Sequence, residues 1–321
     1  MPENDLSLME IEKILEDSLF SKLVYVNLNG GEPTLRLDLP EIVTILIAKL
    51  PKLKTITLNS NGLDTNRVPL ITEKISSICK KNNIRFSISI SLHNTHQEND
   101  KISGVKESYV RITETLDTLK EIQKNNRFYL AVNCVITNLN LYNAYEMIKW
   151  SENHEIPINF TLGEVRQRFN NLDMKDIILI ENSQKIFLVN FFLKLSQDLS
   201  LLNQHTLRYR EIAEMITLGR PRRLSCHYAM GGLILGSDGL LYYCKKGKGI
   251  GSCRDRSAYE VYYNPDNLRY RRKKILDMLC PSCIPNTFIK QEFEKDIFKY
   301  LLHIIHRGIR GKQIDGTPKC L

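Results

Sequence analysis

Two rhythms of apolar and polar positions alternate along the first half of the chain. Short runs rich in Val, Ile, Tyr and Phe occupy 23–28, 54–59, 84–91, 128–135 and 157–162. Their composition suits strands. The run 84–91, IRFSISIS, keeps a strict period of two. Between the runs the apolar positions shift to helical spacing, over 39–50, 66–82, 108–125 and 140–153. A further helix is expected over 7–17, where Leu8, Ile11, Ile14 and Leu15 share a face. Five strands alternating with helices predict a parallel sheet with right-handed crossovers. An open doubly wound sheet and a barrel both fit that alternation.

The strand ends carry turn chemistry. The first is followed by Asn29-Gly30-Gly31-Glu32-Pro33. Two glycines strip the side chains from the turn, so a ligand can approach the backbone closely. Glu32 adds a charge, and Pro33 ends the strand. Asp38 and Pro40 then signal a helix start. The later strands end at Asn59-Ser60-Asn61-Gly62, at Leu92-His93-Asn94 and at Gly163-Glu164-Val165-Arg166. Parallel α/β proteins bind ligands at this edge.

The second half changes character. Residues 182–217 read as two helices, and the apolar stretch 177–195 as a buried-face helix interrupted by polar residues. Cys226-His227-Tyr228 opens a cysteine-bearing region. Its hairpin is predicted at 233–244, because Asp238-Gly239 lies between apolar runs. The hairpin is expected to bring Cys226 and Cys244 together. A helix over 267–278 leads to Cys280-Pro281-Ser282-Cys283, a turn that can present two thiolates to one metal. These four cysteines make a closed four-thiolate set that zinc or an iron–sulfur cluster would satisfy. Cys79 and Cys134 fall inside apolar patterns and read as core residues. Cys253 and Cys320 are extra thiols. Residues 286–307 are expected to form one amphipathic helix (Phe288, Phe293, Ile297, Leu301, Ile304, Ile305) with His303 and His306 on the surface. The basic tail 308–321 is expected to be mobile.

Composition adds limits. The 321 residues are 42% hydrophobic and 25% charged, ordinary for a soluble globular protein. No apolar run is long enough to span a bilayer and no signal peptide is evident, so the expected location is the cytoplasm. The net charge of +9 is concentrated in patches such as Arg220-Arg222-Arg223 and Lys245-Lys246-Lys248. Without a nucleic-acid motif these read as solvated basic faces rather than nucleic-acid contacts.

The turns and the cysteine region together resemble the radical S-adenosylmethionine (SAM) superfamily. The resemblance covers roughly residues 7 to 166 in the core. The Gly30-Gly31-Glu32-Pro33 turn resembles the one that binds the methionine amino group of SAM. Asn59-Ser60-Asn61-Gly62 resembles the family's Thr-Asn-Gly turn, and Ser89 to His93 its Ser-x-Ser-Leu-Asp stretch, with His93 in place of the usual Asp. The resemblance implies a partial barrel of (β/α)6 type, lacking its first strand. It also implies cofactor contacts from Asn61, Ser91 and Asn133. The segment 226–285 resembles the SPASM/twitch extension, which implies that Cys226, Cys244, Cys280 and Cys283 hold an auxiliary [4Fe–4S] cluster. Expected domains are a core at 1–180, a helical bridge at 181–225, the auxiliary domain at 226–285 and a terminal helix and tail at 286–321.

One departure matters. The family's C-x3-C-x2-C motif, which binds the catalytic [4Fe–4S] cluster, does not occur in this sequence. The expectation is a functional product that begins upstream of Met1, with this chain inactive as written. The alternative is a SAM- or peptide-binding barrel without the chemistry, keeping one iron–sulfur or zinc site. The resemblance implies an oxidoreductase or maturase acting on a peptide or sugar-like substrate. It would be served by a reductant such as flavodoxin or ferredoxin.

Overall fold

The computed structural model describes residues 5–165, 171–198, 205–285 and 290–310. The chain divides into two compact units. One comprises Met1–Leu179 with Ile234–Leu268, the other Ile180–Leu233 with Arg269–Leu321.

The first unit opens with helix α1 (Leu8–Leu15), started by a capping box in which Ser7 and Glu10 each accept the other's backbone N–H. Strands β1 (Tyr25–Leu28), β2 (Thr55–Ser60), β3 (Arg85–Ser91), β4 (Tyr129–Ile136) and β5 (Ile158–Leu162) form one parallel sheet in sequential order. Helices α2 (Leu39–Lys49), α3 (Arg67–Lys81), α5 (Ser108–Asn125) and α6 (Ala144–His154) connect them, with a short α4 (His96–Ser103) before α5. These are the expected elements within a few residues, and the architecture is the expected α/β partial barrel. Asp38 does not cap α2 through its side chain. Its carboxylate is taken by Arg36 at 2.7 Å, whose guanidinium holds it below the usual carboxylate range.

The two faces of the sheet differ in chemistry. Ile56, Leu58, Phe86, Ile88, Ile90, Leu130, Val132, Cys134, Ile136 and Phe160 are buried on one face. The other carries Asn27, Thr57, Asn59, Ser87, Ser89, Ser91, Asn133, Asn159 and Thr161, all partly or wholly exposed. The register aligns them in rows: Asn27 with Thr57 and Ser87, Asn59 with Ser89, and Ser91 with Asn133 and Asn159. A parallel sheet covered on both faces reads as continuous apolar strands. This sheet keeps one face polar and wet, which is the condition for a hydrophilic ligand to lie against it.

Gly62 locks the second turn beneath this edge. Its φ is +71°, and a Cβ there would fall 2.6 Å from Ile90 Cγ2. Gly62→Ala is therefore expected to lower unfolding free energy by about 2–3 kcal/mol through left-handed strain and overpacking. Urea titration of the folded chain checks this.

The predicted hairpin is present as β6 (Ile234–Leu235) and β7 (Leu240–Tyr242), with Gly239 at φ +83° in the turn, and a third strand β8 (Gly251–Ser252) joins β7. It belongs to the first unit. Leu6 N–H donates to the Ser237 carbonyl at 2.7 Å, Arg254 pairs with Glu10, and the Ser257 hydroxyl donates to Asp17 at 2.6 Å. The segment 226–285 thus contributes to both units.

The second unit contains helices Lys185–Asp198 and His205–Leu218, the two expected, packed through Phe191, Phe192 and Tyr209. The stretch 177–195 is not one helix. Lys175–Ile178 ends at an extended Leu179 (ψ 138°), and a new helix starts at Lys185. No helix among the described residues is long and apolar enough to cross a membrane. The helix expected at 267–278 is a short α-helix, Pro265–Tyr270, continued by a π-helix, Arg271–Leu279.

The terminal helix is also split, into Lys290–Lys295 and Ile297–Arg310. Phe288 and residues 311–321, including Cys320, lie outside the described residues, as do Arg166 and the side chain of His306. His303 is not a surface residue: it is 4% exposed, with Nδ1 3.1 Å from Arg210 Nη1. Buried polar groups occupy the inner side of this helix, while Leu301 and Ile305 of the anticipated apolar stripe are exposed. Within the basic patch Arg223 is exposed, as expected of a solvated face, but Arg220 is not. Arg220 donates to Glu211 and Glu214, both at 2.6 Å, with its side chain 9% exposed.

Candidate functional site

The bare turn after β1 has the form the sequence predicts. A Cβ added at Gly30 or Gly31 would meet nothing within 4 Å, so the backbone faces open space. Glu32 bridges two turns. Its Oε1 accepts from the Thr34 N–H (3.1 Å) and hydroxyl (2.6 Å), and its Oε2 accepts the Asn61 N–H at 2.6 Å. Pro33 begins the short 3-10 helix Pro33–Leu35, which turns the chain away from the sheet edge. The Asn61 side-chain oxygen is engaged locally, accepting the Leu63 N–H at 2.9 Å. A carboxylate oxygen offers two lone pairs, so Oε2 can accept one more donor, such as an ammonium group.

Ser91 and Asn133 stand side by side in the register of β3 and β4, and the Leu92 N–H donates to the Asn133 carbonyl at 3.2 Å. His93 follows on the same side of the strand. Its Nδ1 accepts the Val135 N–H at 3.2 Å, its backbone N–H donates to Asn99 at 3.0 Å, and its carbonyl accepts from Asn140 at 2.8 Å. An accepting Nδ1 places the ring proton on Nε2. The ring is locked and neutral, which suits a hydrogen-bond donor better than a proton carrier. The polar face also contains Asn27, Asn59, Ser87, Ser89, Asn159 and Thr161, which sequence reasoning missed as site residues. Their signal was the period-two alternation of Ser, Thr and Asn in parallel strands. Within the face, Asn27 Oδ1 accepts from Asn59 Nδ2 at 2.9 Å and from Thr57 Oγ1 at 3.0 Å.

Burial pushes the His93 pKa down to about 4 from 6.5. Between these values the unfolded chain binds the extra proton, so stability rises with pH and falls on acidification from 6.5 to 4. His205 adds in the same direction, lowered to about 3 by burial and by Arg208. Urea midpoints at pH 7 and pH 5 are expected to differ less in His93→Gln than in the unaltered protein.

The cysteines fall into two groups. Cys79, Cys134 and Cys253 are buried, as is Cys244, and burial raises the first three thiols, Cys79 to about 12 and Cys253 to about 11. Those three have the character of inert packing residues. Cys226 is also raised, by burial first, but the Arg222 charge and the N–H groups of Ala229 and Tyr228, which bond its sulfur, oppose that shift. Backbone donors aimed at a sulfur suit a metal thiolate, so this residue fits the ligand role. Three buried carboxylates hold the irregular segment leading to it. Glu211 accepts the Leu224 N–H at 3.2 Å, Asp296 the Ser225 N–H at 2.6 Å, and Glu292 the His227 N–H at 2.7 Å. The Arg222 N–H donates to the Pro281 carbonyl at 2.8 Å, tying this segment to the Cys280–Cys283 turn. Within that turn the Cys283 N–H donates to the Cys280 carbonyl at 3.1 Å. Cys226, Cys280 and Cys283 belong to the second unit and Cys244 to the first. Beside Cys244, Lys245 pairs at 3.0 Å with Glu164, just beyond β5.

A parallel partial barrel with a wet polar face and a glycine-bared acidic turn defines a class of cofactor-binding α/β protein. Residues 2–144, somewhat less than half of the chain, match the profile of the Radical SAM superfamily. The fold has solved counterparts. The structure of native anSMEcpe with bound AdoMet and Kp18Cys peptide aligns at 16% identity and a TM-score of 0.55, covering 94% of this chain and 90% of that one. Native anSMEcpe with bound AdoMet aligns at 17% identity and a TM-score of 0.56, over 96% of this chain and 90% of that one. No curated protein matches. The superfamily implies SAM and iron–sulfur clusters as cofactors. The residues of the Gly30–Glu32 turn and of the polar face fit SAM, whose ammonium, ribose and carboxylate all need polar partners. No cysteine trio in the chain fits the catalytic cluster.

Proposed function

We propose that this chain is the SAM-binding core of a radical SAM-type enzyme acting on a peptide. The observation that carries this reading is the polar sheet face ending at the open Gly30-Gly31-Glu32 turn. The methionine ammonium of SAM is held by Glu32 and the turn backbone, and Asn61, Ser91 and Asn133 line the same edge. The superfamily's chemistry is one-electron cleavage of SAM, and the protein's part is to position the cofactor and exclude water. His93, neutral, offers its Nε2–H to a carbonyl or carboxylate oxygen. A peptide is preferred over a sugar-like substrate because a structure of like fold, anSMEcpe, holds the Kp18Cys peptide. Cys226, Cys280 and Cys283 of the second unit are assigned to an auxiliary [4Fe–4S] cluster, reduced by a flavodoxin- or ferredoxin-like donor.

The missing C-x3-C-x2-C motif favours a second reading for the 321 residues alone: they bind SAM without cleaving it. Incubation with SAM and dithionite under anaerobic conditions tests this. Bound SAM with no 5′-deoxyadenosine is expected. Formation of 5′-deoxyadenosine would overturn the second reading, and absence of SAM binding would overturn both.

A further inference from the structure

The loop that carries Cys226 holds a second donor whose position the packing explains only in part. The Cys226 sulfur, a ring nitrogen of His227 and a carboxylate oxygen of Glu292 all lie within 4.8 Å of one another. Glu292, 3% exposed, grips His227 twice through the same oxygen: the backbone N–H donates at 2.7 Å, and Nδ1 stands at 2.8 Å. That geometry puts the ring proton on Nδ1 and leaves the Nε2 lone pair available. Among the described residues Nε2 has no hydrogen-bond partner, and it is not a buried orphan. A carboxylate behind one imidazole nitrogen is the arrangement that orients metal-bound histidines through the other.

The backbone around the ring is shaped to hold it. The Gly232 N–H donates to the His227 carbonyl at 2.8 Å, and a Cβ at Gly232 would fall 3.3 Å from the ring carbon Cδ2, adjacent to Nε2. Arg271, in the π-helix that delivers Cys280, donates to the Tyr228 and Ala229 carbonyls, each at 3.2 Å. The tether from Glu292 is therefore one part of a fixed loop.

We propose that His227, aimed by Glu292, is a ligand of the same metal centre as Cys226 and stands where a fourth thiolate would, so that the auxiliary site is a mixed sulfur–nitrogen centre. This rests on the reading that the Cys226 region binds a metal centre. The sulfur and a ring nitrogen of His227 lie within 4.8 Å, at most a few tenths of an ångström beyond the roughly 4.6 Å that two donors at about 2.0–2.3 Å from one metal can span, so a small side-chain movement brings both onto one ion. An imidazole in place of a thiolate raises the reduction potential of an iron–sulfur centre.

The test uses the full chain, purified anaerobically with unlabelled and with 15N-labelled histidine. If metal analysis finds iron, pulsed EPR of the reduced centre is expected to show a 14N coupling of directly ligated imidazole, replaced by a 15N coupling on labelling. If it finds zinc, X-ray absorption is expected to show a nitrogen shell beside the sulfur shell. His227→Ala should lose that signal, and His227→Cys should retain metal while giving an all-sulfur centre at lower potential. A metal-loaded unaltered protein without histidine nitrogen coupling or a nitrogen shell overturns the assignment even if the variants fail to fold. Absence of both iron and zinc overturns the metal-centre reading, and the assignment with it.

Discussion

Cys226→Ala is expected to strip most of the iron or zinc from anaerobically purified protein, while Cys79→Ala and Cys253→Ala leave the metal content unchanged. The contrast follows from environment. Cys79 and Cys253 are raised well into the thiol range by burial. Cys226 is raised by burial too, but its sulfur has backbone donors and the Arg222 charge to oppose that shift, and it sits in a segment clamped by three carboxylates. Removing a ligand deletes a bond to metal, whereas removing a packing thiol leaves only a small cavity. Glu292→Gln should have an intermediate effect, a roughly 10-fold loss of metal affinity, because it changes the orientation of its neighbours rather than a ligand. Inductively coupled plasma analysis of the four variants, with circular dichroism to confirm folding, checks all of these. Equal metal loss across Cys226→Ala and Cys253→Ala would show that the loading reflects general stability rather than a site.

Glu32→Ala is the second substitution expected to have a large effect, and it acts in two ways. It leaves the Asn61 N–H without its acceptor and frees the Thr34 hydroxyl, costing about 1–3 kcal/mol of stability. It also removes the charge opposite the SAM ammonium, for which at least tenfold weaker binding, about 1.4 kcal/mol, is expected. Glu32→Gln separates the two. Its amide oxygen can still accept one of the turn donors, so it should unfold nearer the unaltered protein while binding SAM as poorly as Glu32→Ala. Urea titration and calorimetric titration with SAM on the same samples report the two effects independently. Full SAM affinity in Glu32→Gln would remove the charge from the account.

Much of this was legible before the fold was seen. The five strands and the helices between them are written in periodicity, and Gly30-Gly31-Glu32 and Gly62 mark the turns because no other residues supply a bare backbone or a positive φ as readily. The Asp238-Gly239 hairpin was equally plain. What escaped was mostly non-local. Nothing in the sequence near Glu292 indicates that it closes on His227, 65 residues earlier. Arg220 looked like one charge of a basic patch because its partners, Glu211 and Glu214, belong to the preceding helix. His303 looked like a surface residue because the apolar stripe of its helix suggested the opposite inner face, and buried polar groups claimed that side instead. The polar sheet face was present as alternating Ser, Thr and Asn, but only the register of five strands turns separate alternations into one surface.

The central claim is that SAM lies against this polar face at the Gly30-Gly31-Glu32 turn. Hydrogen–deuterium exchange of the 321-residue chain, with and without excess SAM, tests it most directly. The account predicts slowed exchange in peptides covering 28–36, 59–63 and 89–94, with the hairpin turn at 236–239 unchanged. Protection confined to other segments, or none at a SAM concentration that saturates binding by calorimetry, would contradict it.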